Sequence, residues 1–175
     1  FGTTKDKKTG KKIAYYGNYL SPRLKSKGIE WDAQIFLIND TDKKITYLQT
    51  VVLLPVVPDN YTDRGEKWFD IGTSFELVLE NGEKLFFEST EAELKKAYGY
   101  RHNGFQAAAV TNEQIDLLSS SKIVEFTISP FLNVEKLPLK YDVKKKRGEK
   151  LMSQFKCFKE AGYENTGKVR NTRKG

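Results

Sequence analysis

The sequence predicts a mainly β (α+β) domain: an antiparallel, Ig-like β-sandwich of about seven or eight strands with short helices and a C-terminal helix. Three observations predict it. The stretch Ile45 to Pro58, ITYLQTVVLLPVVP, is the longest run rich in β-branched and apolar residues. It opens as an alternation and becomes apolar on both faces at Val51-Val52-Leu53-Leu54, the pattern of a strand in the middle of a sheet system. Asn81-Gly82 stands between two further strand-like runs, a strong short hairpin signal. The runs also follow one another through turns without regular helical crossovers, which argues against a parallel α/β sheet.

Taken in order, Phe1 to Lys12 is polar and Lys-rich and reads as a flexible basic arm. Ile13 to Leu20 is a first strand, and Ser21-Pro22 opens a loop that runs to Gly28. In Trp31 to Ile38, the residues Trp31, Ala33, Ile35 and Leu37 share one face at the period of a strand. Asn39 to Lys44 is dense in turn formers and joins this strand to the central one as a hairpin. Pro55 and Pro58 cannot donate to a ladder, so pairing is expected to fail near Leu54. A polar loop, Asp59 to Lys67, follows. Phe69 to Glu80 resumes strand character, with Phe75, Leu77 and Leu79 on one face. Asn81-Gly82, expected as a type I′ turn with positive φ at both residues, returns the chain along Glu83 to Glu88.

Thr90 and Glu93 fit a capping box ahead of a Leu94, Ala97, Tyr98 stripe, so a short helix is expected over 90–98. Gly99 to Gly104 reads as a loop and Phe105 to Val110 as a strand. Thr111 and Gln114 form a second capping box, opening a helix through Leu118 that Ser119-Ser120-Ser121 ends. Lys122 to Ser129 is a strand with Val124, Phe126 and Ile128 on one face, broken by Pro130. Leu137 to Val143, with Pro138, suggests an edge strand. Gly148 precedes a helix over 149–161, where Leu151, Phe155 and Phe158 fall at i, i+4 and i+7, and Gly162 is its stop. The organisation is then a basic N-terminal arm (1–12), a single β-rich domain (13–162) and a basic C-terminal tail (163–175).

The 175 residues, 38% apolar and 13% aromatic, are enough for a real core. The single cysteine, Cys157, excludes an internal disulfide and a cysteine-based zinc site, and the single histidine, His102, excludes a multi-histidine metal site. No segment approaches the roughly 20 apolar residues that span a bilayer. The chain opens at Phe1 without Met, as a processed or trimmed chain does, and removal of a targeting segment is compatible with that start. The net charge of +7 is local: five lysines against one aspartate in 1–12, Lys144-Lys145-Lys146-Arg147, and four basic residues against one glutamate in 164–174. The remainder is mildly acidic, so the basic segments read first as solubilising, with polyanion contact as the alternative.

Tyr98, Tyr100, Arg101 and His102 lie in a glycine-bounded stretch and are the candidate mouth for an anion or a sugar; the plainer reading is a solvated connection. No Gly-x-Ser-x-Gly or comparable signature supplies His102 with a nucleophile and an orienting acid, so no catalytic residue is assigned. Asn39, Asp40 and Asp42, like Asp59, Asn60 and Asp63, depart from the calcium-loop pattern and read as turn chemistry. Asn39-Asp40-Thr41 and Asn60-Tyr61-Thr62 match the glycosylation acceptor pattern. A Gly-rich phosphate loop and the RNP pattern are both missing. No metal or cofactor is implied. Lys144, Lys145, Lys146 and Arg147 are the polyanion candidates.

From Trp31 to Val57 the order is strand, Asn-x-Thr-x-Lys-Lys-Ile turn, apolar strand; later come Phe105–Val110, Thr-Asn-Glu-Gln-Ile-Asp-Leu-Leu, Lys-Ile-Val-Glu-Phe-Thr-Ile and a helix ending Phe-Lys-Cys-Phe-Lys. Over residues 30–160 this pattern resembles uncharacterised extracytoplasmic β-sandwich domains of bacteria, often lipoproteins or exported proteins. The resemblance implies an exported, Ig-like or related sandwich with a binding or structural role, and transfers no functional residue. The expected function is therefore a non-enzymatic exported domain that binds an unknown protein or small ligand. The alternative is a polyanion or nucleic-acid binder using the basic ends and 144–147.

Overall fold

β-Branched and aromatic residues in alternating runs form strands because the branched side chain packs well on a pleated surface. The computed structural model describes residues 2–5, 12–26, 29–54, 73–97, 100–129 and 139–167. Among them are ten strands and two helices: β1 (Gly2–Lys5), β2 (Lys12–Ser26), β3 (Ile29–Asp40), β4 (Ile45–Leu54), β5 (Ser74–Leu79), β6 (Lys84–Glu88), β7 (Glu91–Ala97), β8 (Tyr100–Ala109), α1 (Asn112–Ser120), β9 (Ile123–Ser129), β10 (Leu139–Asp142) and α2 (Lys145–Glu160). The fold is mainly β. One sheet has the order β1-β2-β3-β4-β8-β7 and the other β10-β9-β5-β6. Every pairing is antiparallel.

β4 is central, paired to β3 on one side and β8 on the other. Its two faces are both buried from the start: Thr46, Leu48 and Thr50 on one, Ile45, Tyr47 and Val51 on the other. One continuous core joins Ala33, Ile35, Leu37 and Leu48 of the larger sheet to Phe75, Leu77, Phe87, Phe126 and Ile128 of the smaller one. The same core takes in Ile115 and Leu118 of α1 and Leu151, Phe155 and Phe158 of α2. The β3–β4 turn is closed by Asp40, whose Oδ1 accepts the N–H groups of Asp42 and Lys43 at 3.1 and 3.0 Å, with Lys44 at φ 55°. α1 begins as expected: the Gln114 N–H donates to Thr111 Oγ1 at 3.2 Å, and the Thr111 N–H donates back to Gln114 Oε1 at 2.9 Å.

Several expectations are corrected, most of them by long-range pairing. Gly2–Lys5, expected in a flexible arm, is an edge strand paired to β2. The expected loop from Ser21 to Gly28 is strand as far as Ser26, because register shifts at Tyr19/Ser21 and Ser21/Leu24 place Pro22 in an irregular stretch where no ladder N–H is needed. The expected helix over 90–98 is β7. Thr90, instead of capping a helix, sends both its N–H (2.9 Å) and its hydroxyl (3.3 Å) to the Ala107 carbonyl of β8. Asn81-Gly82 does turn a hairpin, but by a three-residue loop. Leu79 O accepts from Gly82 N at 2.9 Å, Leu79 N donates to Glu83 O at 2.8 Å, and only Gly82 has positive φ (88°), so this is a type I turn with a glycine bulge.

Val124 does not share the face of Phe126 and Ile128. A bulge opposite Val78/Leu79 lets Ile123 take the buried position and leaves Val124 outside. α2 starts at Lys145, so Gly148 lies inside it, and Lys144 to Arg147 form its cap and first turn. The expected edge strand over 137–143 is Leu139–Asp142, beside β9. No helix among the described residues is long and apolar enough to cross a membrane.

Candidate functional site

The smaller sheet turns one face to the core and the other to solvent. Strand parity requires this of β6: with Leu85 and Phe87 inside, Lys84, Phe86 and Glu88 must face out. Phe87 stacks on Phe75 at 5.4 Å between ring centroids, whereas Phe86 is 61% exposed. The rest of the outer face is mostly polar, with Val124 exposed and Val78 half-buried on it, and it carries two ion pairs. Lys84 Nζ lies 3.3 Å from Glu76 Oε1, and Lys140 Nζ lies 2.7 Å from Glu125 Oε2. The Lys140 ammonium is held above its ordinary pKa, first by that hydrogen bond and then by the Glu125 charge. Most of the Phe86 ring is left out of the core.

β6 is also the edge of its sheet among the described residues. The hydrogen bonds Leu79 N to Glu83 O and Ser89 N to Thr73 O fix its parity: Glu83, Leu85, Phe87 and Ser89 turn their backbone groups to β5. Lys84, Phe86 and Glu88 therefore point their N–H and C=O groups away from the sheet. The residues with outward side chains are those with outward backbone groups. Such an edge can accept an extended strand, with main-chain bonds giving affinity and the flanking side chains giving register.

The sequence did not single out Phe86. The available signal was the pair Phe86-Phe87 inside a five-residue strand, where only one can be core. Of the ligand-mouth candidates, Tyr100, Arg101 and His102 lie in β8 rather than in a loop. His102 is in register with Leu54 and Tyr100 with Ala97; Tyr98 lies outside the described residues. Of the polyanion candidates, Lys144 is the N-cap of α2, without a side-chain cap bond, and Lys145, Lys146 and Arg147 open the helix; the three lysines are exposed. Cations there oppose the helix dipole, at a cost of about 0.3–1 kcal/mol each.

The acceptor pattern at Asn39 is not usable. Asn39 is buried, and its amide donates to Thr46 Oγ1 and to the Glu164 carbonyl, both at 3.0 Å. That second bond belongs to a clasp. Asn165 Oδ1 accepts from Thr46 N at 2.9 Å, and Asn165 Nδ2 donates to Val110 O at 2.8 Å. Thr166 N donates to Lys44 O at 2.7 Å. Residues 163–167, expected in a polar tail, thus bind the β3–β4 turn to the start of α1. Asn60 lies outside the described residues. No group of three or more His, Cys, Asp or Glu side chains among the described residues is arranged to hold a metal ion. The chain matches no family model, no curated protein and no solved structure.

Proposed function

We propose that this chain is a non-enzymatic, extracytoplasmic β-rich domain of Ig-like sandwich type whose role is binding or structural, exercised through protein contacts at the β6 edge. The strand order supports the fold reading. β3-β4-β8-β7 and β10-β9-β5-β6 reproduce the A-B-E-D and G-F-C-C′ arrangement of that architecture, with β1–β2 added at one edge and α1 in the E–F connection. The observation that carries the functional reading is the open β6 edge with Phe86 exposed between Lys84 and Glu88. Amide hydrogen exchange in dilute solution tests it. Lys84, Phe86 and Glu88 are expected to exchange fast while Leu85 and Phe87 stay protected. Protection of all five at the lowest concentration overturns the reading, as does a turnover that vanishes in His102→Ala.

A second reading, polyanion or nucleic-acid contact, is favoured by the exposed Lys144, Lys145 and Lys146 at the open end of α2, where helix stability gives no reason for them. Heparin or DNA affinity that falls steeply with salt supports it; flat, negligible binding at low salt removes it.

A further inference from the structure

We propose that the occupant of the β6 edge is a second copy of this chain, paired antiparallel to β6 with Phe86 on the two-fold axis. The proposal rests on the open-edge reading above and adds the identity of the partner. In that register position 84 of one copy faces 88 of the other, and Phe86 faces Phe86 of the partner copy. Lys84 then meets Glu88 at both ends, so the charges match only because the strand is read against its own inverse.

Backbone parity fits the same register. The outward N–H and C=O groups belong to residues 84, 86 and 88, so Phe86 against Phe86 and Lys84 against Glu88 are all hydrogen-bonded pairs of an antiparallel ladder. On the inner face Leu85 falls opposite Phe87, and the apolar layer continues across the junction. A shift by one residue sets outward backbone groups against inward ones. A shift by two brings Lys84 opposite Phe86. The five-residue length and the charge at each end blunt pairing with an arbitrary strand and leave the inverted copy as the matched one. So short a strand buries less than the roughly 1,200 Å² of standard complexes, so the dimer is expected to be weak and concentration-dependent.

Sedimentation equilibrium from about 10 μM to about 1 mM, the range in which such small interfaces associate, is expected to show the mass rising from monomer towards dimer. Phe86→Asp sets two carboxylates on the axis and is expected to weaken association at least tenfold. Lys84→Glu and Glu88→Lys alone each set like charges opposite one another and do the same. The double variant Lys84→Glu/Glu88→Lys restores opposite pairs and is expected to recover dimerisation, with far-UV circular dichroism unchanged throughout. A wild-type chain that stays monomeric to 1 mM overturns the proposal, and so does a folded double variant that stays monomeric while wild type dimerises. Amide exchange separates the two levels. Protection of Lys84, Phe86 and Glu88 in dilute solution defeats the open edge itself; fast exchange at every concentration defeats only the self-pairing.

Discussion

Replacing Gly148 by Ala sets two known effects against each other. Gly148 lies in the first turns of α2 and is buried. On helix propensity alone Ala is favoured over Gly by about 1 kcal/mol. A Cβ at this position, however, meets Ile123 O at 2.6 Å and Lys122 Cβ at 3.4 Å. The oxygen is main chain and cannot swing away. Its strand is held on both sides, since Lys122 O accepts from Glu80 N and Val124 O accepts from Val143 N, each at 2.8 Å. Relief requires α2 to lift from β9, and overpacking of this kind costs about 1–3 kcal/mol. The overpacking cost cancels the propensity gain and leaves a net loss of up to about 2 kcal/mol, or up to about 8 °C in Tm for a chain of this size. Urea unfolding followed by circular dichroism measures it, with the m-value unchanged. A Gly148→Ala chain more stable than wild type by the full propensity gain of about 1 kcal/mol refutes the close seating of α2 on β9.

Three further outcomes are expected. Asn165→Ala removes the bonds to Thr46 N and Val110 O and leaves both backbone groups unsatisfied, which should cost about 1–3 kcal/mol; an unchanged urea midpoint refutes the clasp. Thr50→Val should stabilise by about 1 kcal/mol, since the Thr50 hydroxyl is fully buried and finds no hydrogen-bond partner among the described residues; a lower midpoint shows that the hydroxyl is satisfied. Lys44, Lys122 and Lys140 have pKa values raised above 10.5, chiefly by the hydrogen bonds they donate to Glu164, Glu80 and Glu125. A raised folded pKa gives stability that is complete below the unfolded value and lost as pH climbs through the folded one. A thermal-melting series should therefore be insensitive to these pairs up to about pH 10 and decline above it, and loss of their contribution at neutral pH sinks the assignment.

The two capping boxes show how far local sequence reaches. Thr111 with Gln114 and Thr90 with Glu93 carry the same signal. At Thr111 nothing competes: the helix buries Ile115 and Leu118, and both box bonds form. At Thr90 the chain has just left β6 and runs beside β8, whose unpaired groups accept a ladder; β7 forms, and the threonine hydroxyl bonds across to Ala107. Helix propensity differences of a few tenths of a kcal/mol per residue are too small to resist a whole strand edge left open. The same competition explains β2 beyond Pro22 and the strand conformation of Tyr100 to Gly104. What was legible was what the chain decides locally: the central run at β4, the Asn-Gly reversal, the α1 cap and the α2 stripe.

The candidate site was illegible for a different reason. Phe86 and Phe87 are chemically identical in sequence, and both fit a strand. Period two forces one of them outward, and only the register of Phe87 with Phe75 decides which. The charges two residues to either side read as ordinary solvated positions until the hydrogen bonds at Leu79 and Ser89 show that residues 84, 86 and 88 also carry the outward main-chain groups. Side-chain face, backbone parity and charge order then fall on the same three residues. Two of those facts exist only in the folded chain. The proposed interaction edge needs no nucleophile, ligand set or glycine loop, so the motifs that mark an active site leave no trace of it.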